Sequence, residues 1–216
     1  MPLSDLPSRR ARCINCLRPA GYCLCHLIPR LPNCTHLLVM QHPSEQKHAL
    51  NTGRMLALGL VHADLLIAES LAAHPHWLSA LADPQWRNEL LFPGEHVPVL
   101  GPQSADKRPR RLVLLDGTWR KARKLLHLNP ALQALPRVGL PDGLQSRYRL
   151  RKVPAQGALS SVEAGAEALR LLEPELAVEQ LLVPFDALIE AQINAMGETR
   201  YQRNYARNHD VDGRAR

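Results

Sequence analysis

Nowhere does the chain contain the roughly 18 consecutive apolar residues that a membrane-spanning helix requires. Nor does the polar start, residues 1–12, contain the apolar core of a secretory signal. These absences argue against a spanning segment and an exported product, and the chain reads as cytoplasmic. No internal repeat or low-complexity tract interrupts it, so repeat architectures drop out. No segment marks an obligate protein partner. An even set of cysteines is missing too. There are five, and four of them crowd between positions 13 and 25, which suits a metal knot better than a secreted disulfide framework.

What is present is a chain of 216 residues with 45% hydrophobic content, enough for one main core with at most a small appendage. The formal net charge is +7 and the pI near 9.5. That balance attracts a polyanion, whether nucleic acid, an acidic protein or an anionic membrane surface, without choosing among them. Placement of the charge has to decide.

Residues 1–12 are polar, with Arg9, Arg10 and Arg12, and read as a flexible basic arm. Residues 13–30 hold the cysteine knot, 31–198 the main domain, and 199–216 a basic tail interleaved with Tyr201 and Tyr205. In the main domain, short apolar runs at 35–40, 63–68, 90–92, 112–115, 138–140 and 181–183 predict strands. Helical patterns at 52–60, 77–81, 119–126, 162–172 and 185–197 lie between or after them. Continuous apolar strands alternating with helices predict an α/β fold, a mostly parallel sheet with helices on both faces. In such sheets ligands sit beyond the carboxyl ends of the strands.

Cys13-x-x-Cys16 followed by Cys23-x-Cys25 brings four thiolates onto two tight turns, and the natural occupant is a structural Zn2+ ion. Four reduced thiols in a loop or an iron–sulfur cluster are the other readings. His26 is left out of the ligand set, since a lone neighbouring histidine is more often a surface residue. Cys34 is left over.

The strand 112–115 ends at Asp116-Gly117, and Thr118 or Asp116 can cap the helix that begins at Trp119. On that helix Trp119, Ala122, Arg123 and Leu126 share one face, while Arg120, Lys121 and Lys124 point elsewhere. Taken alone, Asp116 is a cap and Trp119 a core anchor. Other segments change the balance. Gln41-His42-Pro43-Ser44-Glu45 follows a second strand, and Asn51-Thr52-Gly53-Arg54 opens a helix. Tyr148-Arg149-Leu150-Arg151 combines cations with an aromatic face, and Ser160-Ser161-Val162-Glu163 places hydroxyls at a helix start where an anion is welcome, or forms a plain capping box.

With the cysteine knot, these segments resemble, in order and over residues 12–190, the DTW-domain family, and within it the tRNA-uridine aminocarboxypropyltransferases. The family's name motif is Asp-Thr-Trp, and here Gly117 stands between Asp116 and Thr118. The resemblance implies a SPOUT-like fold whose C-terminal part can be threaded as a knot. It also implies tRNA as partner and S-adenosylmethionine as substrate, its aminocarboxypropyl group passing to uridine N3 with release of methylthioadenosine. It implies Asp116 and Trp119 as catalytic residues. Leu115, Gly117, Thr118, Leu140, Tyr148, Arg149, Leu150, Ser160, Ser161 and Glu163 would surround S-adenosylmethionine. His42, Glu45, Asn51, Arg54, Arg120, Lys121, Arg123 and Lys124 would meet RNA. A SPOUT-like RNA methyltransferase and a non-catalytic zinc-bearing nucleic-acid-binding protein are the competing expectations.

Overall fold

The computed structural model describes residues 11–48, 50–101, 106–150 and 158–205. Most of the expected arm, Arg151 and the end of the expected tail lie outside the described residues.

Five strands, β1 (His36–Gln41), β2 (Ala63–Ile67), β3 (Arg87–Leu91), β4 (Arg110–Asp116) and β5 (Arg137–Val138), form one sheet in the order β2-β1-β4-β3-β5. Every pairing is parallel. The helices are α1 (Thr52–Leu58), α2 (Pro75–Ala82), α3 (Trp119–Leu128), α4 (Pro130–Gln133), α5 (Ser161–Leu172), α6 (Val183–Met196) and α7 (Glu198–Asn204).

The alternation of a strand's side chains divides the core in two. Leu37 and Val39 of β1, with Leu112 and Leu114 of β4, pack under Leu56 of α1, Leu169 of α5 and Phe185 and Leu188 of α6. Leu38, Met40 and Val113 point the other way, against Leu125 of α3, Leu132 of α4 and Leu81 of α2. Burying each such side chain contributes about 1.5–3 kcal/mol. An exposed ion pair contributes at most about 1 kcal/mol, so these two layers set the architecture.

The expected α/β sheet with helices on both faces is therefore what the chain forms. One predicted strand is wrong. Residues 181–183 are helical, where a short 3-10 turn (Val178–Leu181) runs into α6 with Pro184 in its first turn. A short apolar run has no period that separates a buried strand from a buried helix end, and Pro at a helix start decides it here. The segment expected to be a basic tail begins as α7, with Tyr201 buried and Tyr205 stacked on it at 6.0 Å.

The strand order creates one special place. From β1 the chain leaves towards β2 on one side, and from β4 it leaves towards β5 on the other. Between the carboxyl ends of β1 and β4 the connections diverge, and a crevice opens at that switch point.

α5 lies over the sheet where Gly165 meets Leu56 of α1, and a Cβ on Gly165 would stand 2.4 Å from Leu56 Cδ2. Leu56 is fully buried and has no room to yield. Gly165→Ala is expected to cost roughly 1–3 kcal/mol through overpacking, read as a fall in Tm or denaturation midpoint. An unchanged midpoint would refute this account of the crossing.

Candidate active site and metal knuckle

Gln41 and Asp116 are register partners at the ends of β1 and β4. The pairing continues one step further, with the His42 amide donating to the Asp116 carbonyl at 3.0 Å. Both side chains turn to the α1/α5 face, as their place in the alternation demands. Gln41 Nε2 donates to Asp116 Oδ2 at 2.6 Å and to Asn51 Oδ1 at 2.7 Å. Asn51 caps α1 by accepting from the Arg54 amide at 3.0 Å. On the other side Ser161 Oγ donates to Asp116 Oδ1.

Two helix starts thus converge on one carboxylate. Gly53, in the first turn of α1, lets it approach, because a Cβ there would lie 2.5 Å from Asp116 Cγ. Asp116 is 6% exposed. Burial pushes its carboxyl above the ordinary value, while the bonds from Gln41 and Ser161 pull it down. Burial wins, so the group holds a proton more readily than a surface aspartate.

Asp116 is not the cap of α3. Thr118 takes that role, accepting from the Lys121 amide at 3.4 Å. Gly117 makes the strand-to-helix turn at φ +156°, where a side chain would press on Lys121 Cβ at 3.0 Å. The predicted face of α3 also changes. Ala122, Leu125 and Leu126 are its buried stripe, Arg123 is exposed, and Trp119 is 44% exposed rather than a core anchor. The first turn of α3 overhangs the sheet end, so Trp119 meets Phe92 edge-to-face at 6.0 Å and leaves much of its indole open.

Much of the cationic surface beside it is paired. Lys121 Nζ lies 2.6 Å from Glu45 Oε1, and Lys124 Nζ lies 3.0 Å from Glu69 Oε1. His42 Nε2 lies 2.7 Å from the same Glu69 oxygen. Arg120 and Arg123 are exposed and have no ion pair among the described residues.

At the second crevice wall, Ser160 caps α5 in a capping box with Glu163. Glu163 also accepts from Ser146 Oγ at 2.9 Å and from the Arg147 amide at 2.6 Å, which ties the 144–150 segment to the start of α5. Tyr148 packs edge-to-face on Phe185 at 5.6 Å, and Arg149 pairs with Glu190. Leu140 and Leu150 lie against the α5/α6 core, and Leu115 against the opposite one. Asp116, Ser161, Asn51 and Gln41 therefore form one connected cluster. Trp119 and the α3 cations lie on the other side of the sheet end.

Sequence reasoning quoted Gln41 and Gly53 within their motifs but gave neither a role. The signal for Gln41 was its position, a polar residue ending an apolar strand. Glu69 and Phe92 left no such mark, because their partners come from distant segments.

The four cysteines come together at the amino end. Cys13 Sγ and Cys25 Sγ are 3.5 Å apart, Cys16 Sγ and Cys23 Sγ 3.8 Å, and all four sulfurs lie within 4.8 Å of one another. A tetrahedral zinc with bonds of about 2.3 Å has sulfur–sulfur edges of about 3.8 Å, so the set fits such a cation. Backbone amides of Cys16 and Asn15 lower the Cys13 thiol to about 6, whereas burial pushes Cys25 up to about 12. Without a cation the cluster resists holding four thiolates. Arg54 Nη1 reaches the Asn15 carbonyl at 3.3 Å, linking the knuckle to α1.

A model of the DTW domain matches residues 10–193, and the chain belongs to the DTW-domain family. It is 33% identical over 199 residues to a Drosophila melanogaster protein named tRNA-uridine aminocarboxypropyltransferase 2, covering 88% of this chain and 78% of that one. A Mus musculus protein of the same name is 29% identical, with 91% and 68% covered. The Arabidopsis thaliana tRNA-uridine aminocarboxypropyltransferase A is 28% identical, with 79% and 76% covered. No solved structure matches the chain. Among the described residues no helix is long and apolar enough to cross a membrane.

Two outcomes follow for solution work. Purified protein is expected to carry about one metal ion per chain, lost in Cys16→Ser together with a drop in Tm. Metal-free protein as stable as the parent would contradict the site. Because the raised carboxyl of Asp116 keeps its proton in the folded chain at pH values where the unfolded chain has lost it, its contribution to stability falls as pH rises from about 4. Asp116→Asn can keep both bonds, with its oxygen towards Gln41 and its amide towards Ser161. It is expected to raise Tm at neutral pH relative to the parent and to narrow that gain in acid. A lower Tm at pH 7 would reverse the assignment.

Proposed function

We propose that this chain is a tRNA-uridine aminocarboxypropyltransferase that moves the 3-amino-3-carboxypropyl group of S-adenosylmethionine to N3 of a uridine in tRNA. The observation that carries the reading is Asp116, a buried carboxylate of raised proton affinity at the switch point of a parallel sheet. The names of the relatives supply the substrate and the group transferred.

Uridine N3 carries an imide proton that must leave for the nitrogen to attack. Asp116 takes that proton as general base, and burial makes it a better acceptor than a surface aspartate. Gln41 and Ser161 occupy two of its roughly four acceptor positions, so capacity for a third bond remains. As N3 forms its bond to the chain carbon next to sulfur, the carbon–sulfur bond breaks. Its electron pair stays on sulfur, and neutral methylthioadenosine leaves. The electrophile brings its own leaving group, so the protein's work is placement.

The open indole of Trp119 gives the flipped base a face to stack on, with Phe92 holding it edge-on. The walls for S-adenosylmethionine are the Leu115–Thr118 turn, Leu140, the Tyr148–Leu150 segment and the Ser160–Ser161 helix start. Glu163 acts there through its bonds to Ser146 and Arg147, as a positioning residue. Arg120 and Arg123 meet phosphate directly. Lys121, Lys124, His42 and Glu45 form an ion-paired rim, and Asn51 and Arg54 stand at the α1 start. The four-cysteine knuckle holds a structural Zn2+ ion.

The decisive experiment incubates the protein with S-adenosylmethionine and unmodified tRNA and reads both products by mass spectrometry. An aminocarboxypropyl uridine with methylthioadenosine is expected. S-adenosylhomocysteine with a methylated base would establish a methyltransferase instead, and no product of either kind would leave binding alone. In single-turnover kinetics Asp116→Asn should slow transfer roughly 100- to 10,000-fold while tRNA binding holds. A loss of only a few fold would make Asp116 an orienting group.

A further inference from the structure

Between the knuckle, the 46–48 turn, α1 and α6 lies a groove of about 340 Å³. That size falls within the roughly 300–1,000 Å³ of ligand pockets. Arg12, Arg18, Lys47 and Arg54 stand on its walls, and no carboxylate among the described residues lines it. Its floor is apolar, with Leu24, Ile28, Met55 and Leu188 among the lining residues. Tyr22 is also among them and is 59% exposed. The Tyr22 carbonyl accepts from Arg18 Nε at 2.8 Å, which ties the Tyr22 backbone to a guanidinium.

We infer that this groove seats RNA, taking one unstacked nucleotide on Tyr22 with its flanking phosphates on Arg12, Lys47 and Arg54. The inference deepens the proposed tRNA reading and rests on it. Three observations favour that occupant. Lys121, Lys124, Arg147 and Arg149 face carboxylates, whereas among the described residues this lining contains none. S-adenosylmethionine carries a cationic sulfonium, which the cations of this lining disfavour, so the groove suits a polyanion better than the small substrate. An apolar floor beneath cations and an aromatic is the combination that holds single-stranded nucleic acid, stacking supplying affinity without base readout.

The groove also touches the chemistry. Asn51 lines it and accepts from Gln41, which in turn donates to Asp116. A strand lying in the groove is therefore linked to the carboxylate through two side chains, Asn51 and Gln41, and a nucleotide beside the target uridine occupies the Tyr22 shelf. On this assignment the knuckle is part of the RNA-reading surface as well as a structural clip.

The test uses the full-length, metal-loaded protein and an unmodified tRNA transcript, with Kd measured across a salt series. Tyr22→Ala should weaken binding roughly 5- to 100-fold, as loss of a base-stacking aromatic does, and Tyr22→Phe should bind like the parent. Lys47→Ala should weaken it and lower the slope of log K against log salt by about one. Lys47 is exposed and makes no ion pair among the described residues, and neither substitution removes a sulfur ligand. Unchanged metal content and Tm identify a folded variant. Ultraviolet crosslinking of the parent should attach nucleotide to the peptides bearing Tyr22 or Lys47. If the parent binds tRNA and both variants match it in Kd and salt slope, the groove assignment is overturned and the proposed reaction stands. If the parent itself fails to bind tRNA, the substrate reading falls and takes the groove with it.

Discussion

Two neighbouring parallel strands end at the same level, and the side chains at their ends, Gln41 and Asp116, are bonded to each other. Everything at the crevice is arranged around that pair. Strand alternation sends both side chains to the face covered by α1 and α5, so the starts of those two helices are what the carboxylate meets. Asn51 ties Gln41 to one helix and Ser161 ties Asp116 to the other. Gly53 supplies the missing Cβ that lets helix and carboxylate coexist. Desolvation works against the charge while the bonds from Gln41 and Ser161 support it, and the balance leaves a carboxylate that is positioned and more willing to take a proton than a surface aspartate.

The same economy of placement governs charge. A net +7 spread evenly would give the molecule a diffuse attraction for any polyanion. Instead Lys121, Lys124, Arg147 and Arg149 are matched with acidic partners around the sheet end. Arg12, Lys47 and Arg54 by the knuckle groove, and Arg120 and Arg123 on α3, make no ion pair among the described residues. The knuckle itself is fastened to α1 through Arg54 and the Asn15 carbonyl, so the four-cysteine cluster and the crevice share a helix.

Composition and periodicity carried most of the fold. The strands at β1, β2 and β4 and the helices at α1, α3, α5 and α6 stood out because each has a long or largely apolar pattern. Residues 181–183 did not, since three apolar residues before a proline have no period of their own. At the site, Asp116 and the helix start at Ser160 were readable from strand-end and capping chemistry. Gln41's bond to Asp116 spans 75 positions in the chain and follows from strand order, which no local pattern encodes. Trp119, a core anchor when its tetrad is read alone, stands 44% exposed for the same reason. Helical spacing put it in line with Ala122, but only the sheet's edge decides where α3 begins to overhang.

The strand order carries a consequence for how the molecule is made. β1 and β2 pair with each other, whereas β3 has β4 and β5 as its neighbours, and β4 fills the slot between β1 and β3. A chain emerging from its amino end therefore holds the β1–β2 pair and a β3 without either of its neighbours until residues 110–116 arrive. Asp116 is the last residue of the strand that closes that slot. The carboxylate comes to life only when the sheet is whole, so a nascent or half-folded chain has no assembled centre with which to act.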